Sequence, residues 1–511
     1  MTLRSCISQF SLSHDTAHQK LEKLSLGSDV GFEYQRRTLP YLTATFTFLL
    51  AISGLAAGPS SQPASQPSTA ELLGLSEIPE PSAPASNQFI FGSFGRMGAF
   101  TNQSAKEIAQ LDVVNYIPRL EKQPYVELYL GYARQVPHLG NLLIMVTPAF
   151  AGDPFHYTGQ FTAEIALRNA YAEVREVGGS GLYAWIGSRM YRGDDIYLLD
   201  FWPLDNLNTL GGALGYAWRG FDITVHGGAS RVLGSNFFNQ QIQVADPTFG
   251  STTVTTNNRQ HLIGSLKLSY YRDLGDFGIK AKLYGEAHSI ASGAIQLTNN
   301  TQQTLPGDGG WVFGGQLSAF HKPTRGFLHL FIRQGTDLGA YNALDVPFGL
   351  NSQRTTKGAG ETLLGVSAGA VILERVTLGV GAYYRAFHVA LANTFDNSDR
   401  DEYIVDGRAT LQIMKFWQQG VELSYQRALP HGIQPDLLRQ ISPEIVKFSI
   451  FPALVSAPDL LPDVALRFIY TYAATNSDSK YLYATQDLRY AVRNFHFFGV
   501  QAEWLFDKVL P

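Results

Sequence analysis

Cysteine is nearly absent: the 511-residue chain has one, Cys6. It lies ahead of the only run that reads as an export signal, so the exported part has no disulfide and no thiolate set for zinc or an iron–sulfur cluster. Charge is scarce too, at 16% of residues against about 25% in ordinary soluble domains. The formal net charge of -4 gives no reason to expect a nucleic-acid partner. Long apolar runs are also lacking, and the mean hydropathy of -0.06 is not that of a helical membrane bundle. The twelve histidines include no HExxH pair and no GxxxxGK[ST] loop occurs, so nothing calls for a metal, nucleotide or other cofactor.

What is present is aromatic and glycine-rich: 12% Phe, Trp and Tyr, with 49 glycines. Few charges, many aromatics and neutral hydropathy agree in one architecture, a β-barrel in lipid. Its strands alternate apolar residues outside with polar residues inside, so hydropathy averages out. A soluble β-sandwich also alternates, and the export signal is what favours the barrel.

That signal is "YLTATFTFLLAISGLAA", Tyr41 to Ala57, with Arg36 and Arg37 before it and Gly and Pro after it. A basic flank, a short apolar core and small residues at the end are the layout of a secretory signal, cleaved near Ala57. A spanning anchor needs about 20 apolar residues. Ahead of the Arg36 flank stand 35 further residues, more than an ordinary signal carries there, which a later start such as Val30 would shorten. Residues 1–57 are therefore read as extension and signal. Residues 58–87, rich in Pro, Ser and Ala, form a tether with too little apolar surface to fold alone and one short helix at Ala70 to Leu75. Residues 88–511 are the barrel.

Beyond Asn87 short runs alternate. "YVELYLGYA" places Tyr125, Glu127 and Tyr129 on one side and Val126, Leu128 and Leu130 on the other. "RFIYTYA" sets Phe468, Tyr470 and Tyr472 on one face, and "FGVQAEWLF" separates Phe498, Val500, Ala502, Trp504 and Phe506 from Gln501 and Glu503. One stretch breaks the rule: "SRMYRGDDIYLLDFWPLDN", Ser188 to Asn206. In a strand, neighbouring Asp194 and Asp195 would point to opposite faces, one of them apolar. The chain must leave the sheet there.

These blocks resemble the maltoporin type of sugar-specific outer-membrane porin. They are "FGRMGAF", "PRLEKQPYVELYLG", "RNAYAEV", "AWIGSRMYRGDDIYLLDFW", "GWVFGGQLSAFHKPTRGFLHLFIRQGTD", "LRFIYTYA" and "FGVQAEWLF", in that order over residues 92 to 506. The resemblance implies an all-β transmembrane antiparallel barrel of about eighteen strands, a homotrimer in outer-membrane lipid, and a third loop folded inward as a constriction. Passage of oligosaccharides, maltodextrin-like or other neutral sugars, would follow an aromatic lane at Phe94, Tyr125, Phe313 and Tyr403. A polar track would comprise Arg96, Arg119, Glu127, Arg168, Asp195 and Asp200, with Trp202 at the constriction. The stretch that breaks alternation would be that loop, its two aspartates meeting water and sugar hydroxyls.

The chain departs from the family at Gly193, where a track arginine is expected and Arg192 comes one residue early. It departs again at Leu505, the place of a lane aromatic, and in lacking a first-loop disulfide. These departures keep open a non-conducting structural or adhesive barrel. A general diffusion pore would lack saturable sugar binding. A glycosidase would need two carboxylates such as Asp194 and Asp200 with one raised pKa in a closed cleft, which nothing in the sequence implies. "DNSDRDE", Asp396 to Glu402, has oxygen ligands without a calcium-loop spacing and reads as a solvated extracellular loop.

Overall fold

The computed structural model describes residues 87–510 apart from 103–110, 123, 152–163, 231–239, 247–249, 297–299, 392–397, 435, 458–461 and 484–486. The export signal, the tether and its short helix lie outside the described residues. Eighteen strands form one antiparallel sheet that closes on itself. The first, Gln88–Asn102, pairs with the second, Tyr125–Val136, on one side and with the last, Asn494–Leu510, on the other, from Phe89 opposite Leu510 to Asn102 opposite Phe497. Closure gives each of the eighteen described strands a neighbour on both sides, so this sheet has no edge strand and its ladders are made within the wall, as lipid favours.

A strand of 12 residues such as Tyr125–Val136 extends about 40 Å, and tilted by about 40° it covers roughly the 30 Å hydrocarbon core. Connections of two to eight residues at one end alternate with connections of eleven to thirty at the other. Short turns mark the periplasmic end and long loops the outside. Two long loops carry ribbons of their own, Gln240–Asp246 with Gly250–Thr256 and Gly293–Gln296 with Gln302–Leu305.

The alternation read from sequence is present in the wall. In Val464–Thr475, Leu466 and Phe468 lie exposed on the lipid face with Tyr470 and Tyr472 beside them, while Ala465, Arg467, Ile469 and Thr471 are buried inside. In the last strand Phe498 and Val500 face out and Gln501 and Glu503 face in. Trp504 also faces out, seated over Gly95 with its indole nitrogen donating to Ser93 Oγ at 2.9 Å. The inner wall carries its charges as pairs: Arg385 with Glu361 at 2.6 Å, Arg408 with Glu422 at 2.6 Å and Arg467 with Glu503 at 2.7 Å. Buried charges persist only when partnered in this way.

The lumen is narrowed by chain folded into it. Leu111, Val113 and Val114 of the first loop, Ile196, Leu199, Phe201 and Leu204 of the third, and Leu482 and Tyr483 of the last pack into one apolar cluster. Tyr116 stacks on Phe201 with ring centroids 3.6 Å apart. From the wall, Lys447 holds Asp112 at 2.8 Å and Glu121 at 2.9 Å.

Candidate functional site

The fifth strand, Leu182–Arg192, ends immediately before Gly193, and the sixth begins at Asn206. Between them the chain turns into the barrel, because Asp194 and Asp195 cannot both be accommodated on a strand. The two aspartates then separate. Asp194 is buried and taken by the ninth and tenth strands, Phe277–Ile290 and Asp308–His321, bound by Lys280 at 2.9 Å, Lys282 at 3.4 Å and Gln316 at 2.7 Å. Asp205 meets Lys282 at 3.2 Å. The expectation that both neighbouring aspartates meet water is thus corrected: Asp194 anchors the loop.

The loop's apolar side needs room on the opposite wall, and glycine supplies it. A Cβ at Gly365 would stand 2.9 Å from Ile196 Cδ1, and one at Gly381 would stand 3.0 Å from Ile196 Cγ2 and 3.2 Å from Leu198 Cβ. The tip, Tyr197–Leu199, is a single tight turn ending at Asp200, whose φ of 51° is left-handed. Aspartate tolerates that region better than most residues.

That turn presents the Asp200 carboxylate to three cations. Arg119 Nη1 donates to it at 2.8 Å, Arg96 at 3.4 Å, and Lys122 Nζ lies at 3.9 Å. Arg119 also binds Glu503, Nε to Oε1 at 2.8 Å, and its guanidinium lies 4.7 Å from the Tyr197 ring centre and 5.5 Å from that of Phe94. Phe94 is 6.2 Å from Tyr125, centroid to centroid. The Tyr125 hydroxyl donates to Glu127, and Arg168 contacts both. Arg192 lies over the Trp202 ring at 3.8 Å while donating to Asn206 at 2.7 Å.

Asp195 and Asp200 lie partly open to the lumen yet walled in by protein. Burial pushes the Asp195 carboxyl up to about 7, with Arg119 opposing and Asp200 and Asp194 adding to the rise. Burial acts in the same direction on Asp200, but Arg119, Lys122 and Arg96 outweigh it and hold that carboxyl at about 2. One acid is fixed as an anion and the other titrates near neutrality.

Eight of the eleven residues named from the sequence line this region or front it: Phe94, Tyr125, Arg96, Arg119, Glu127, Arg168, Asp200 and Trp202, with Asp195 coupled to them through Arg119 and Asp200. Two do not. Phe313 faces the lipid side at 59% exposure, sharing the parity of Trp311 and Leu317, while Val312, Gln316 and Ser318 point inward. Tyr403 also faces outward, beside Tyr425 at 5.9 Å and Arg427 at 3.4 Å, because buried Glu402, Ile404 and Asp406 take the inner positions. Both leave the lane and join the outer aromatic surface.

Four contributors were missed. Lys122 and Tyr197 sit in the infolded loops, where no periodicity signals a facing. Glu503 carried the signal, being inward by alternation. Arg192, one residue ahead of Gly193, packs over Trp202, and at Gly193 itself any side chain would run into the Asp205 carboxylate. Leu505 is 49% exposed, facing the lumen in register with Phe94, so the aromatic row stops there.

A closed barrel of eighteen tilted strands, with a loop folded inside to narrow it, defines a channel of the outer membrane. A sequence model of the LamB porin family matches residues 89–505. The chain belongs to that family. No curated protein matches it closely enough to count. Similar solved structures include OccAB1 and OccAB4 of Acinetobacter baumannii, 7% and 11% identical. Those likenesses cover 85% and 84% of this chain and 99% and 100% of theirs, with TM-scores of 0.41 and 0.42. OmpT of Vibrio cholerae is 11% identical over 84% of this chain and 100% of its own, at a TM-score of 0.38. Such likeness says nothing of what this channel carries.

Proposed function

We propose that the protein passes neutral oligosaccharides, maltodextrin-like or similar, by facilitated diffusion, as a homotrimer in outer-membrane lipid and without catalysis. The observation that carries this reading is the meeting of two kinds of surface at one constriction. Phe94, Tyr125 and Trp202 offer aromatic faces, and Arg96, Arg119, Glu127, Arg168, Asp195 and Asp200 offer charged donors and acceptors beside them. A sugar ring has an apolar C–H face and a rim of hydroxyls, so it is complementary to such a junction. Aromatic contacts of about 1 kcal/mol and charge-assisted hydrogen bonds of about 1.5–3 kcal/mol give capture with release, which conduction requires.

Acids and bases are interleaved and pair with one another, which suits an uncharged polyhydroxyl solute better than an ion of either sign. The lane is short, because Leu505 interrupts it and Phe313 and Tyr403 lie outside, and affinity is accordingly modest. Vesicles reconstituted with the protein should swell faster in maltodextrins of two to four units than in uncharged non-sugar solutes of equal size. Equal rates would reduce the protein to a general diffusion pore, and no swelling in any solute would leave a structural barrel. Chemical cross-linking in detergent should give a ladder ending at three copies.

A further inference from the structure

At the outer rim, away from the constriction, two histidines converge on one carboxylate oxygen. His388 ends the thirteenth strand, Val376–His388, and His431 follows the fifteenth, Trp417–Pro430. Asp399 lies in the loop between the thirteenth strand and the fourteenth, Arg400–Met414. Its Oδ1 accepts from His388 Nδ1 at 2.9 Å and from His431 Nδ1 at 2.6 Å. The two imidazoles stack at 5.3 Å and 23°, and one ligand atom from each of the three residues lies within 4.8 Å of the others.

We propose that His388, Asp399 and His431 form a site for a borderline divalent cation of the zinc class, clipping two extracellular loops together. Zinc takes imidazole and carboxylate at about 2.0–2.2 Å in a tetrahedron, which sets its ligand atoms roughly 3.3 Å apart. The observed spacings of 2.9 and 2.6 Å reach that value if the rings retreat by about half an ångström, a distance inferred from the same geometry. The histidines have room to do so, their side chains being 53% and 39% exposed, whereas Asp399 at 9% stays fixed.

The backbone already joins the two loops, His431 N donating to Asp399 O at 2.8 Å. A cation would replace two hydrogen bonds that converge on one oxygen, and water or an external group would take the fourth position. Asp401 flanks the site, 3.5 Å from His431 Nε2. Two described acids of the run that begins at Asp396, Asp399 and Asp401, therefore meet nitrogen ligands in space. Nitrogen excludes calcium and magnesium, which take oxygen, and selects zinc, copper or nickel.

The test uses the detergent-solubilised full barrel and Zn2+ alone, in competition with a chromogenic chelator. The parent should bind one Zn2+ per chain in the micromolar range. His388→Asn and His431→Asn keep a hydrogen-bond donor to Asp399 but lose the ligand, and each should weaken binding about tenfold or more, the scale on which even the partners of ligands matter. His138→Ala, in an exposed turn at the other end of the barrel, should bind as the parent does. Folding of each variant is checked by heat-modifiable mobility, and Asp399→Asn serves if a histidine variant does not fold. Absence of binding in the parent, unchanged affinity in the folded asparagine variants, or displacement of Zn2+ by equimolar Ca2+ would each overturn the site.

Discussion

Arg119 and Asp200 are 81 residues apart in sequence and joined at 2.8 Å inside the barrel. Neither lies on a wall strand: one belongs to the first infolded loop, the other to the tip of the third. Their contact locks two loops into one constriction, and Glu503 anchors the pair to the wall through Arg119.

Removing the arginine should therefore cost stability and order together. Arg119→Ala leaves Asp200 and Glu503 short of a buried partner, a loss of about 3 kcal/mol by the measure of broken buried pairs. The urea midpoint for folding into detergent should fall and channel current should become noisier. A midpoint and current trace matching the parent would show that the loops are held by apolar packing alone.

Asp195 predicts a pH effect of definite sign. Its carboxyl titrates at about 7, so it is anionic above that pH and neutral below it. Acidic groups in a pore favour cations. Cation preference, read as the reversal potential in a salt gradient, should decline as pH falls from 8 to 6, and Asp195→Asn should stay at the low-pH value throughout. Asp200, held at about 2, remains ionised across that window and contributes no slope.

Much of the wall was legible because a barrel in lipid enforces its period of two. Glu127 and Glu503 were inward on that ground. The same rule, applied to Phe313, shows it in phase with Trp311 and Leu317 and out of phase with Gln316 and Ser318, whereas the family resemblance implies a place inside. Tyr403 failed for the same reason beside Glu402 and Asp406. The doublet Asp194 and Asp195 revealed where the chain leaves the sheet, but not that Lys280 and Lys282, 86 and 88 residues on, would claim Asp194. Loop contacts of that kind follow no local pattern. His388 and His431 were likewise unreadable as a pair, since 43 residues separate them and only the register of neighbouring strands brings them together.

The opposite wall should be intolerant of side chains at Gly381. A valine there meets Ile196 and Leu198, whose atoms lie 3.0 and 3.2 Å from even a Cβ. Gly381→Val should displace the third loop and raise single-channel conductance, while the outward Gly407, with nothing near its Cβ position, should accept alanine without change.

Trp202 and Leu505 should shift conductance and affinity in opposite senses. Trp202→Ala removes bulk and a stacking face, so conductance rises and sugar affinity drops roughly fivefold, or about 1 kcal/mol. Leu505→Trp extends the row beyond Phe94, so affinity increases by a similar factor and conductance falls. Unchanged sugar block in both variants would remove stacking from the account.

The most direct measurement is planar-bilayer conductance of the purified protein titrated with neutral oligosaccharides. The account predicts that ion current falls saturably with at least one maltodextrin or comparable sugar, and that the double change Asp195→Ala with Asp200→Ala weakens this block. An open channel whose current is indifferent to every sugar at saturating concentration would contradict it.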